Sequence, residues 1–304
     1  MATVMHGGSL ANMQAALGRA EAYSPFLAQL MRRHEPVTAH LSAGEVEEAY
    51  QLALAAGTDA SGPAQALRLA RGAVALVTGV ADLAGAWDLD TVTCTLSDFA
   101  DHAVDIALQT AFAERYPGEE LRGFAVIALG KHGSRELNYS SDIDPILIFD
   151  PETLPHGPRE EPVEAAVKLA RRMVELLSAR DGDGYVFRVD LRLRPTPEAT
   201  PIALPVEAAI SYYESMALGW EQAAFIRGRA CAGDIRLGNY FLQAIRPFIW
   251  RRSLDFGAID AILDISRRIR DHYANAQAFG PGYDLKRGRG GIREVEFFAQ
   301  VHQL

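Results

Sequence analysis

The stretch GFAVIALGKHGSRELNYSSDIDPILIFD, residues 123–150, decides the fold. It opens on a short, continuous apolar run between Gly123 and Gly130, as expected of a strand buried on both faces. It closes on DIDPILIFD (142–150), which predicts a second strand. Between them Gly130 and Gly133 permit a tight turn, Ser134 follows, and Lys131 adds a positive charge. Small residues there let backbone N–H groups approach a phosphate. The Walker spacing ending in Gly-Lys-Ser/Thr is absent, so this is no P-loop. Asp142 and Asp144 are two residues apart, which on a strand places both carboxylates on one side, about 7 Å apart along the backbone. Two such groups repel each other unless a cation lies between them, and magnesium takes oxygen ligands of this kind. The competing assignment makes Asp142 a turn cap and Asp144 an exposed strand end.

Downstream, PETLPHGPREEP (151–162) carries four prolines and predicts a loop. Pro162 opens a helix whose Val163, Val167, Ala170, Val174 and Leu177 trace one face. DGDG (181–184) is a turn, and YVFRVDLRLRP (185–195) predicts a third strand that Pro195 ends. Arg188, Asp190, Arg192 and Arg194 alternate there with Phe187, Val189, Leu191 and Leu193, so one face is apolar and the other sets a lone Asp among arginines. A solvent-facing edge strand has the same alternation. A single carboxylate beside a carboxylate pair is also what a two-metal phosphoryl-transfer site uses, with arginines for the phosphates. Helix signals return over 205–229 and 258–275. Upstream, residues 10–115 read as helices broken near Pro36 and at GTDASGP (57–63), a scaffold in which His34 and His40 are surface histidines.

With 49% hydrophobic and 23% charged residues over 304 positions, the chain is neither disordered nor a disulfide miniprotein. Its two cysteines, Cys94 and Cys231, are far apart in sequence, which argues against structural zinc and for a reducing, cytoplasmic setting. No secretory signal and no membrane-length apolar stretch is expected. The net charge of −9 falls entirely within residues 1–120, with 6 basic against 15 acidic side chains, and predicts a solvated acidic face. Such a chain repels nucleic acid. Residues 221–304 carry 13 basic against 9 acidic side chains, which suits a small anionic ligand.

The glycine turn, the Asp-x-Asp pair and the later Asp resemble the nucleotidyltransferase fold of the DNA polymerase beta superfamily. Within it, GKHGSRELNYSSDID, DLRLRP and KRGRGGIREVEFFAQ (286–300) resemble the bifunctional glutamine synthetase adenylyltransferase/adenylyl-removing family, and within that its N-terminal, adenylyl-removing copy. The likeness covers residues 120–304. His132 and Ser134 stand where the family more often has Leu and Gly, and Pro145 is less usual and fixes its backbone position. The resemblance implies an α+β fold. A helical region (1–120) precedes a mixed-sheet catalytic core (121–245), and a helical domain begins at 246–304, cut short because the family continues well beyond residue 304.

It further implies a magnesium-dependent site that removes AMP from adenylylated glutamine synthetase by phosphorolysis, giving ADP, while the whole enzyme also adds AMP from ATP. Asp142, Asp144 and Asp190 would hold magnesium. Gly130, Lys131, Gly133 and Ser134 would cradle the nucleotide phosphates, and Arg192 and Arg194 would neutralise charge. Inorganic phosphate is the co-substrate, glutamine synthetase the protein substrate, and a PII regulatory protein a further partner of the whole enzyme; no nucleic acid or membrane is implied. The rivals are a nucleotidyltransferase for another protein or small molecule, and a non-catalytic nucleotide sensor.

Smaller candidates are Glu221, Arg227 and Arg229 as pocket residues beside a core Trp220, with Tyr212 and Tyr213 as packing residues. The loop Lys286 to Gly291 is a candidate anion site ahead of a helix at 291–304 that presents an apolar face.

Overall fold

The computed structural model describes residues 10–250, 267, 280–286 and 288–303. Ala- and Leu-rich periodicity builds α1 (Leu10–Tyr23), α2 (Pro25–Arg33), α3 (Glu35–Ala43), α4 (Val46–Leu54), α5 (Pro63–Ala84) and α6 (Leu89–Arg115). Ser24 and Asp88 cap α2 and α6 by accepting from the backbone N–H of Leu27 and Thr91. Breaks fall at Pro36 and at 57–62 as the sequence predicts. His34 is not a surface residue: it is 7% exposed. Gly72 on α5 lets the helix come close, since a Cβ there would lie 3.2 Å from His34 Nε2. His40 is half-buried and pairs with Glu45 at 2.7 Å.

The remaining elements are β1 (Phe124–Leu129), α7 (Gly130–Gly133), β2 (Asp144–Phe149), α8 (Pro162–Ser178), β3 (Ala203–Pro205), α9 (Val206–Ser215), α10 (Gly219–Ala224), a 3-10 turn (Phe225–Arg227), β4 (Arg229–Gly233), α11 (Ile235–Ile249) and α12 (Ile292–Gln303). The sheet runs β3-β2-β1-β4. β1 is antiparallel to both of its neighbours, and β2 pairs with β3 in parallel, so the sheet is mixed and the α+β expectation holds. Side chains alternate across it. Phe124, Val126, Leu147 and Phe149 join one continuous core with α5, α6 and α8. Ala125, Ile127, Ile146 and Ile148 join a second core with α9, Phe225 and Phe241.

The third strand does not form. Residues 185–195 contribute a single parallel bridge, Val189 to Ile143, and the third strand in sequence is instead Ala203–Pro205. Pro145 supplies the reason. Ile143 N–H donates to Arg188 O at 3.0 Å and Asp190 N–H to Ile143 O at 2.9 Å. The next bond of a parallel ladder would come from residue 145, and proline has no N–H to give. The segment leaves the edge at Asp190, and pairing resumes only at Leu147 with Ala203.

The helix expected over 205–229 is divided into α9, α10 and the 3-10 turn, and β4 begins at Arg229. The sequence RACAG has neither alternation nor a bulky apolar run, so nothing in it marks a strand. The helix expected over 258–275 lies, Arg267 apart, outside the described residues, as does the side chain of Trp220. α12 forms, with Ile292, Val295 and Phe298 exposed. No helix among the described residues is long and apolar enough to cross a membrane.

Candidate active site

Register brings the signature together. Leu129, the last residue of β1, lies across from Asp144, the first of β2, so the glycine turn starts beside the second aspartate. Gly130 has φ +56°, and a Cβ built on it would stand 3.2 Å from Asp144 Oδ2. A side chain there would both strain the backbone and crowd the carboxylate. Gly133 serves packing. A Cβ would fall 1.9 Å from the Arg227 carbonyl oxygen and 2.7 Å from that of Ala128. Lys131 is exposed. The Ser134 hydroxyl lies 3.2 Å from Gly130 O and 3.0 Å from Glu136 Oε2.

Asp190 reaches the pair through the Val189–Ile143 bridge, and oxygens of Asp142, Asp144 and Asp190 lie within 4.8 Å of one another. Burial, then the Asp142 and Asp190 charges, push Asp144 up to about 6; Lys286 and Arg192 pull it back. Asp190 is held below the usual carboxylate range by the Arg192 side chain, which forks onto it at 2.9 Å. Three convergent carboxylates with mutual repulsion form a hard-oxygen donor set that suits magnesium. The three carboxylates converge as the sequence predicts, but not on two strands: Asp142 lies before β2, which begins at Asp144, and Asp190 arrives on an irregular segment.

Arg194 is turned onto its own loop, donating to Leu191 O at 2.7 Å and Pro197 O at 2.6 Å. Glu221 is buried and accepts from Tyr212 Oη at 3.0 Å and Leu218 N–H at 2.9 Å. Arg227 lies 3.6 Å from Glu296 on α12. In the loop before α12, the N–H groups of Lys286, Gly288, Gly290 and Gly291 are bonded to Asp284, Gly288 and Glu294. Those four amides are engaged internally, whereas the Lys286 charge acts on Asp144.

Sequence reasoning missed the part played by α6. Ser97 Oγ accepts from Leu137 N–H at 3.2 Å, and Asp98 pairs with Arg135, a non-glycine residue at φ +61°. Asp101 binds His132 Nε2 at 2.8 Å and Arg229 Nη1 at 2.6 Å, and Asp105 accepts from Gly233 N–H at 3.0 Å. Arg229 in turn donates to the His132 carbonyl at 3.2 Å. These α6 positions are one, three or four residues apart and share a face, a signal present in the sequence. Part of the acidic face expected to be solvated is thus spent on the glycine turn and β4. Asp101, His132 and Cys231 also form a metal-capable group. The Arg229 guanidinium already supplies its positive charge, and burial pushes the Cys231 thiol well up, keeping it protonated.

Residues 11–244 match the family model described as glutamate-ammonia ligase adenylyltransferase, and residues 264–304 match one described as GlnD PII-uridylyltransferase. The bifunctional glutamine synthetase adenylyltransferase/adenylyl-removing enzyme of Caulobacter vibrioides is 43% identical over 98% of this chain and 31% of its own length. The enzymes of the same description from Xanthobacter autotrophicus and Rhizobium meliloti are each 43% identical, over 95% and 78% of this chain. The chain spans about a third of the length of the curated relatives it matches, 31% for the first two and 25% for the third. All three carboxylates and the turn beside them fall inside the first matched stretch, and on that match the chain belongs to the glutamate-ammonia ligase adenylyltransferase family.

Proposed function

We propose that this chain takes part in the regulation of glutamine synthetase by adenylyl transfer, and that its site removes AMP from the modified tyrosine by phosphorolysis. The convergence of Asp142, Asp144 and Asp190 beside the Gly130 turn is the observation that carries this reading. An oxygen of inorganic phosphate attacks the phosphorus of the tyrosyl-AMP group. The P–O bond to tyrosine breaks, its electron pair passes to the phenolic oxygen, and that oxygen takes up a proton. Phosphate and AMP leave joined as ADP, with no change of oxidation state.

The carboxylates would hold one or two magnesium ions, which when bound neutralise charge on the phosphate oxygens. Gly130 leaves the approach to Asp144 open, and the turn Gly130, Lys131, Gly133 and Ser134 receives phosphate oxygens through its backbone and the Lys131 charge. Arg192 is 82% exposed in its side chain, so its fork is placed to exchange between Asp190 and a phosphate. Arg194 acts by fixing the loop through its bonds to carbonyl oxygens. Addition of AMP from ATP would pass through the same kind of transition state, so the bound substrate decides the direction. We assign the core to residues 121–245, with a helical region before it and a helical domain beginning at 246.

The test is incubation of the chain with adenylylated glutamine synthetase, magnesium and phosphate. ADP release that Asp142→Asn abolishes supports the reading; no ADP from folded, magnesium-loaded chain overturns it. The match of residues 264–304 favours a second reading, transfer of a nucleotide to or from a PII-type regulatory protein. Lys286 of that segment bears electrostatically on Asp144, and label transfer from UTP to PII is the measurement that would favour this reading.

A further inference from the structure

Arg71 on α5 is a half-buried cation that none of the described carboxylates pairs with. Burial pulls its pKa below the ordinary value, with the Tyr185 hydroxyl a partial offset, so its position needs other compensation. Two contacts provide it. Arg71 Nη2 donates to the Tyr139 carbonyl at 3.0 Å, and the guanidinium carbon lies 5.5 Å from the centre of the Phe187 ring. Tyr139 stands three residues before Asp142, and Phe187 three residues before Asp190.

We propose that Arg71 is a positioning residue for the carboxylate site, one planar group clamping the loop that bears Asp142 to the segment that bears Asp190. The inference rests on the reading of those carboxylates as a magnesium site. Each jaw of the clamp is itself anchored. Tyr139 Oη donates to Asp82 Oδ2 at 2.7 Å, on the same helix as Arg71. Phe187 is 5% exposed and packs on Phe99 with ring centres 6.1 Å apart. Beyond Arg71 the two segments touch again, where Arg188 donates to Ser140 O at 2.5 Å. Converging carboxylates repel one another, and Asp142 is exposed on a loop with no strand to hold it. A brace fixed to the helical region opposes that repulsion before any cation arrives. The guanidinium is planar and holds its donors in a fixed fork, whereas an ammonium is a compact, freely rotating point charge that fixes the two segments less firmly.

The experiment titrates Mn2+, which takes oxygen ligands as magnesium does and is read directly by electron paramagnetic resonance, into the 304-residue chain, with melting temperatures of the metal-free proteins recorded alongside. Arg71→Gln is expected to weaken Mn2+ binding about tenfold or more, the range for groups that orient metal ligands. Arg71→Lys should fall between Gln and the parent. Asp142→Asn serves as the control that loses the site. Unchanged Mn2+ affinity in Arg71→Gln, whatever its melting temperature, would show a packing residue and overturn the proposal. Should that variant fail to fold, Arg71→Lys decides, since parental affinity there removes the need for a planar clamp. Failure of the parent chain itself to bind Mn2+, or equal binding by Asp142→Asn, would bring down the magnesium reading and the clamp with it. Loss of Mn2+ binding in Asp142→Asn with parental affinity in Arg71→Gln brings down the clamp alone and leaves the magnesium reading standing.

Discussion

Asp142 precedes β2 by two residues and Asp144 opens it, and their environments differ: the first is exposed, and the second is half-buried and pushed up to about 6. On the proposed reading Asp142 serves a cation and not the core. Asp142→Asn should therefore abolish ADP release while leaving the metal-free melting temperature unchanged or slightly higher, because one like charge is gone. A clear fall in melting temperature without magnesium would mark it as a turn cap instead. At Gly130, alanine would have to occupy a left-handed backbone at a cost of about 1–2 kcal/mol and crowd Asp144, so Gly130→Ala should lose both stability and activity. Gly133→Ala should be worse, measured by denaturant midpoint, because the obstacle is the rigid Arg227 carbonyl. Both glycines and both aspartates were legible because a turn after a strand and a two-residue spacing are local signals. The reason for Gly133 was not, since its neighbour lies more than ninety residues along the chain.

The α6 helix holds the glycine turn and the residues after it through Ser97, Asp98 and Asp101, and β4 through Asp105. Burial alone would raise the Asp101 carboxyl, but hydrogen bonds from His132 and Arg229 outweigh it and hold it below its ordinary 3.8. A depressed acid contributes stability that is full above its unfolded value and is lost as pH falls toward the folded one. Asp101→Asn should thus cost about 1–3 kcal/mol near neutrality by leaving its donors half-satisfied. The gap from the parent should shrink below pH 3.8, as urea melts across that range would register. A gap independent of pH would mean that the charge plays no part. The elements themselves were unequally legible. β1, β2 and α8 follow from apolar runs and periodicity, as the sequence predicts. The strand expected at 185–195 failed because alternation reports a face and not a partner; its partner carries Pro145. β4 escaped notice because its small residues are dictated by α6 and α11 packing against it, which no local pattern encodes.

For the chain as a whole, any ligand that binds only the folded state stabilises it, by about 2.7 kcal/mol at a hundred times its dissociation constant. Magnesium should accordingly raise the melting temperature of the parent chain and leave an Asp144→Asn, Asp190→Asn double variant unmoved; a rise in both would place the ion elsewhere. The element pattern and the family resemblance implied an α+β protein, but not that the acidic first 120 residues share a continuous core with one face of the sheet. The α6 contacts carry a consequence for biosynthesis. Asp101 meets His132 31 residues downstream but Arg229 only 128 residues downstream, and Asp105 waits as long for Gly233. A ribosome delivers α6 long before it delivers β4, at roughly 5–20 residues per second, so the helix spends several seconds with its aspartates uncommitted. The contacts that fix the glycine turn to α6 are thus completed last, and a pause in translation before residue 233 would leave Asp105 without its β4 partner.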